Sequence, residues 1–239
     1  MNKIKSIITG VLLVCLMPVS AQNVSDIDYL DMIDKALYME YAEIKMEVLK
    51  NDKLLNYYVM EYYRKDEKIR MDFLEPATEK GRRMLNEETN LWMYMPRTSK
   101  VMKLPLKQAF MGSDASNRDL MRMTFRKDYE IVAVKQNEPD ILQLELKAKD
   151  LTVSYSKVII LFDTRLKAPI KQEMYSLSDK LLKTIDYEYE KYADGNYYPS
   201  FNIIKDMLLK NSITKMYYNK VKRIHNKPAV YFTLGSIKQ

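Results

Sequence analysis

The chain has 239 residues, 39 Lys and Arg against 32 Asp and Glu, a formal net charge of +7 and 47% hydrophobic side chains. That length and apolar content suit a sizeable packed core and exclude a disordered chain or a small disulfide-stapled one. One His and one Cys exclude the usual zinc sets, and only 5 Gly leave no glycine-rich phosphate loop.

The N-terminus reads as a secretory leader. Lys3 and Lys5 give the positive start, Ile7 to Met17 the apolar run, and Val19-Ser20-Ala21 before Gln22 the small-residue cleavage site. The run is shorter than the ~20 apolar residues a membrane-spanning helix needs. Cys15 is expected to leave with the leader, since Val14 is a poor match to the small residue that precedes a lipid-bearing cysteine. The remaining 218 residues hold no cysteine and carry 37 basic residues against 32 acidic, a net charge of +5. An exported chain of this kind suits a bacterial periplasm.

A helix is predicted next. Ser25 is a good N-cap with Asp28 at the capping-box position, and Ile27, Leu30, Ile33 and Leu37 share one stripe. The period then changes to two. Ala42, Ile44, Met46 and Val48 alternate with charged residues, as do Ile69, Met71 and Phe73 and then Ile185, Tyr187 and Tyr189, while Leu142, Leu144 and Leu146 alternate with Gln143, Glu145 and Lys147. Leu91 to Met95 and Val158 to Phe162 are apolar on both pleat faces, so both faces need cover. In the first of these, Trp92 and Tyr94 share one face and Leu91, Met93 and Met95 the other; either set can be the inner one. A basic segment follows, then an apolar loop from Leu104 to Met111 that ends in the turn Gly112-Ser113-Asp114. Ser116 opens a second short helix, with Asp119 at the box position and Leu120 and Met121 inward.

Turn signals recur every 10–15 residues or so, with no alternation of strand and helix. The expected fold is α+β, mainly antiparallel β, with about ten or eleven strands in one domain over residues 22–239. A sheet that large curls or splits. The two helices and the 104–115 loop are the material available to cover its concave face.

Catalytic groups are missing from this pattern. His225 lies in the basic stretch Lys222 to Lys227, without a serine elbow or a cysteine partner, and reads as a surface residue. Ser113-Asp114 reads as a turn, not as a catalytic pair. No enzyme activity, metal or cofactor is expected, and no nucleic-acid module is present. Arg82, Arg83, Arg97, Lys100, Lys103 and Lys107 form the densest basic run, read either as solvated strand faces or as a surface for lipid headgroups or an acidic partner. Nineteen Tyr and 17 Met are abundant; Met fills cores and also lines surfaces that accept varied apolar partners.

The blocks Ile69 to Ala77, Lys80-Gly81, Asn90 to Pro96 and Phe110 to Asp114, followed by Asp119-Leu120, resemble the outer-membrane lipoprotein-sorting (LolA-like) family. Lys157 to Asp163, Pro169 to Tyr175, Lys183-Thr184, Asp194-Gly195 and Phe232-Thr233 extend the similarity over nearly all of the exported chain. The resemblance implies an unclosed, strongly curved antiparallel β-barrel with helices over its concave face, present as a monomer. It implies a periplasmic carrier whose hydrophobic cavity takes the acyl chains of lipoproteins or related lipids toward the outer membrane. An inner-membrane exporter and an outer-membrane acceptor are the implied partners; the alternative is a non-transporting envelope sensor, or a periplasmic adaptor of an RND-type exporter of hydrophobic cargo. Phe73, Trp92, Tyr94, Met95, Phe110 and Met111 are the cavity candidates. In carriers of this family an arginine on the sheet holds the cover closed, and Arg70 and Arg97 are the positional candidates.

Overall fold

The computed structural model describes residues 28–87, 90–121 and 124–238. The leader, Cys15, and the cap and stripe positions Ser25 and Ile27 lie outside these residues. Helix α1 runs Tyr29–Ala36. Within the described chain Asp28 is its N-cap, accepting from the Asp31 N–H, and Leu30 and Ile33 are its buried stripe. Helix α2 spans Asn117–Met121. Its capping box forms as the sequence predicts: the Asp119 N–H donates to Ser116 Oγ at 3.3 Å and the Ser116 N–H to Asp119 Oδ2 at 2.7 Å. A third short helix, α3 (Phe125–Asp128), was not expected from the sequence. Asp34 supplies its N-terminal cap from α1, accepting from the Phe125 N–H at 2.7 Å and the Arg126 N–H at 2.9 Å. The cap partner is distant in sequence, so no local signal marks this helix.

Among the described residues thirteen strands form one antiparallel sheet, two or three more than predicted. The first six are β1 (Tyr41–Lys50), β2 (Lys53–Lys65), β3 (Lys68–Glu75), β4 (Arg83–Glu87), β5 (Asn90–Met95) and β6 (Lys100–Leu104). After the helical segment come β7 (Tyr129–Glu138), β8 (Ile141–Ala148), β9 (Lys157–Asp163), β10 (Ala168–Tyr175), β11 (Leu181–Lys191), β12 (Tyr197–Asp206) and β13 (Ser212–Lys222). The basic segment after Met95 is in fact a tight turn leading into β6, which pairs with β5 through Trp92↔Lys103 and Tyr94↔Val101. Its exposed lysines hide the strand, because an edge strand needs no alternating apolar pattern to pair.

The order is β6-β5-β4-β3-β2-β1-β13-β12-β11-β10-β9-β8-β7. Each half is a meander, and the first and last strands meet in the middle, with Ile44↔Tyr218 and Met46↔Met216 in register. The sheet is not closed; β6 and β7 are its two edges. It curls strongly. Ile69 and Met71 of β3 share a hollow with Ile185 and Tyr187 of β11, although four strands separate these two in the sheet. On a flat sheet that separation is about 24 Å. Register shifts at Tyr41/Glu43, Val48/Leu49 and Glu188/Tyr189 sharpen the bend.

The concave face holds the main core, where Ile44, Met46, Met60, Met71, Leu144, Val158, Ile160 and Met216 meet Leu30 and Ile33 of α1, Met121 of α2 and Phe125 of α3. The convex face carries a second, smaller core. Tyr63 and Leu85 pack there with Phe232 and Ile237 of the C-terminal segment, which folds back over β2–β5. His225 belongs to this layer and is half-buried, a correction to its reading as a surface residue. Its ring packs against Tyr63 and Phe232, Nδ1 accepts from the Lys227 N–H at 3.0 Å, and Nε2 therefore donates to the Arg64 carbonyl at 2.9 Å.

Candidate functional site: a hollow beneath the helical cover

The helices do not fill the concave face. A hollow of about 130 Å³ remains between the sheet and α2. Its floor is Ile44, Ile69, Met71, Ile185, Ile204 and Met216, and its roof is Leu120 and Met121. The apolar floor follows from strand period: each residue is an inward position of a two-residue alternation. Arg64, Glu67 and Lys127 stand at its mouth. Two other depressions, beside Lys220 to Lys227 on the convex side and beside Asp34 and Arg223, are larger but lined mainly by charged and polar side chains.

Hydroxyls and one amide interrupt the apolar lining. Tyr62, Tyr187, Tyr218 and Asn202 line the hollow. Burial pushes the Tyr62 hydroxyl up to about 12, and those of Tyr187 and Tyr218 higher still. All three stay neutral at physiological pH, so the interior offers hydroxyls without charge. Asn202 Nδ2 donates to the Tyr218 hydroxyl at 2.8 Å, while its buried Oδ1 has no partner among the described residues.

The cover is tied down at three places, twice to strands and once to the β8–β9 loop. Lys183 of β11 donates to Asp119 of α2 at 2.6 Å, with side chains only 6% and 1% exposed. The Tyr155 hydroxyl donates to the other Asp119 oxygen at 2.8 Å, and burial beside that carboxylate holds the phenol far above its usual range. Asn86 of β4 donates to the Met121 carbonyl at 3.0 Å. The loop before α2 is anchored separately. Met111 and Gly112 both take left-handed backbone, φ +50° and +74°, which folds the chain back and drives Asp114 into the sheet. There Asp114 accepts from Thr214 Oγ1 at 2.7 Å and Ser212 Oγ at 3.0 Å. Arg126 of α3 pairs with Asp28, which joins α3 to α1.

The cavity candidates from the sequence fall into three places. Phe73 and Phe110 stack at 6.3 Å in the main core, with the Met111 carbonyl accepting from the Tyr58 hydroxyl nearby. Met95 faces the same core with Leu91 and Met93, so that set is the inner one. Trp92 and Tyr94 lie on the opposite face and pack against the C-terminal segment. None of the six lines the hollow itself. Arg97 is exposed on the turn after β5. Arg70 is 3% exposed, but it holds the C-terminal segment, not the helices: Nη1 donates to the Tyr231 carbonyl at 2.9 Å, Nε to Asp72 at 2.8 Å, and the guanidinium lies 3.8 Å from the Tyr231 ring centre. The buried basic residue that reaches from the sheet to the cover is Lys183 of β11. Sequence reasoning passed over it because Lys on a strand usually reads as solvent-facing.

A family model described as an uncharacterized protein matches residues 65–239. The chain belongs to this family. No curated protein matches it. Among solved structures, a LolA superfamily protein from Nitrosomonas europaea is 26% identical, with a TM-score of 0.74 over 87% of this chain and 96% of its own. A DUF1329 family protein from Desulfovibrio piger is 18% identical, with a TM-score of 0.76 over 88% and 96%. An outer membrane lipoprotein-sorting protein domain from Vibrio parahaemolyticus is 20% identical, with a TM-score of 0.71 over 83% and 91%. The fold is therefore LolA-like, a curved unclosed sheet of antiparallel strands with few helices. No helix among the described residues is long and apolar enough to cross a membrane.

Proposed function

We propose that this chain is a periplasmic carrier that holds the acyl chain of a lipoprotein or related lipid between its sheet and its helical cover. The observation that carries the reading is the apolar hollow roofed by Leu120 and Met121. At about 130 Å³ it is close to a benzene-sized void, too small for a whole acyl chain. On this reading the structure is a closed form, and loading requires α2 to lift. A longer cargo runs along the concave face past Met71 toward Phe73, Phe110 and Met111. Burial at about 0.8 kcal/mol per CH₂ binds it without directional chemistry. The unpartnered Asn202 oxygen accepts a donor from the cargo or a water. Lys183 takes the role assigned in the family to an arginine, holding the cover down.

Displacement of a fluorescent fatty-acyl probe, with native mass spectrometry of the protein released from its own periplasm, tests this. The expected results are a co-purifying lipid and probe binding at least about tenfold weaker in Leu120→Trp, which fills the hollow from its roof. A lipid-free protein that binds no probe would overturn the carrier. A stable membrane-exporter partner captured by crosslinking, with weak lipid affinity, would favour the adaptor alternative instead.

A further inference from the structure

The turns at the two ends of the sheet differ in kind. At one end, Leu54 and Leu55 open β2, Leu177 sits on the β10–β11 turn, and Met207, Leu208 and Leu209 form the β12–β13 turn. All six are about half exposed or more, Leu177 reaching 81%. The turns Asp66-Glu67, Pro139-Asp140, 164–167 and 193–196 at the opposite end carry no large exposed apolar side chain, and Ile224, just past β13, stands alone there at 75% exposed. The mouth of the hollow, at Arg64, Glu67 and Lys127, is at that opposite end.

The apolar tips are neighbours held on rigid backbone. Asn51 and Asn211 bond through both main chain and side chain, which joins the β1–β2 turn to the β12–β13 turn. The Met207 N–H donates to the Leu182 carbonyl at 2.8 Å, which joins that turn to β11. Asp206 caps the Leu208 N–H at 2.8 Å, so the leucines are presented on a fixed turn. Lys50, Lys53, Lys180, Lys205 and Lys210 surround these tips, exposed and without an ion pair among the described residues. Of the nearby carboxylates, Asp179 pairs with Lys157 and Asp206 is the cap, leaving Asp52.

We propose that this end is a membrane-docking surface for a bilayer with anionic headgroups. Separate apolar points with cations between them complement an interface that deforms around each tip and supplies phosphates beside it. A flat protein partner needs a continuous apolar patch, which three separate turns do not make. The docked protein keeps its mouth pointing away from the membrane it rests on. This surface is independent of the cargo hollow, and one can fail without the other.

Co-sedimentation of the chain, purified from the periplasm of an expression host, with phosphatidylglycerol–phosphatidylcholine vesicles tests the proposal. The expected result is binding that needs phosphatidylglycerol, falls with added salt, and weakens at least about tenfold in the doubly substituted Leu55→Asp, Leu208→Asp protein. Val132→Asp, at an exposed apolar position on β7, should bind as the parent does and shows that surface apolarity alone is not the cause. Absence of vesicle binding, or binding indifferent to the double substitution, overturns the proposal. So does binding abolished by an acyl ligand in the hollow, or a dimer in sedimentation velocity that the double substitution splits without any vesicle affinity.

Discussion

Lys183 and Asp119 form a buried ion pair between sheet and cover, and its value depends on both partners being present. Lys183→Met leaves the Asp119 carboxylate without its cation, although Tyr155 and the Ser116 N–H still donate to it. The expected loss is about 3–5 kcal/mol in urea unfolding. Adding Asp119→Asn should return much of it, because the residual cost is a stranded charge and not the lost pair. If the single and double variants unfold at the same urea concentration, the pair does not hold the cover. Arg70, the sequence candidate for that task, lies across the sheet, where Tyr231 and Asp72 take up its guanidinium. Both residues break the rule that strand cations face water, and a pattern argument reads neither one correctly without the segment that covers it.

The C-terminal segment is the least expected element. It carries no helical or strand period; what holds it is Phe232 and Ile237, 1% and 0% exposed, and the carbonyls that Arg70 and Arg83 capture. Deleting residues 228–239 should destabilise the protein by roughly 3–6 kcal/mol, the burial of these two side chains. It should also shift the emission of Trp92, the only tryptophan, to the red as that face meets water. Unchanged emission would mean that the segment does not cover Trp92 in solution. Most strands were legible: Ala42, Ile44, Met46 and Val48 are all nearly fully buried, as their alternation requires. The capping box at Ser116 was legible too, since both partners lie within one turn. β6, α3 and the C-terminal cover were not, because their determinants are an edge pairing, a cap from another helix and a distant arginine. The walls of the hollow were hidden for the same reason. Each wall residue is an ordinary inward strand position, and the curl decides which of them face empty space.

At the scale of the whole molecule, tyrosine burial sets the alkaline limit. Tyr62 is pushed up to about 12, and burial drives Tyr129 and Tyr155 higher, against 10.0 in the unfolded chain. These raised values favour the protonated, folded state. Their contribution is complete below pH 10 and is lost as pH climbs through the raised values, from 10 to about 12 for Tyr62 and further for the other two. Tyrosinate absorbance should therefore lag behind free tyrosine above pH 10, then rise together with unfolding seen by circular dichroism. Ionisation of all 19 tyrosines before unfolding would contradict the burial.

The chain between the two edge strands, 105–128, carries both α2 and α3. One covalent bridge thus spans the gap where the wall fails to join itself and also bears the roof over the void. Spreading the seam tugs the roof, and raising the roof slackens the seam. Girth and aperture become a single mechanical variable, so in the proposed carrier an occupant wide enough to force the wall apart would also unlatch its own exit.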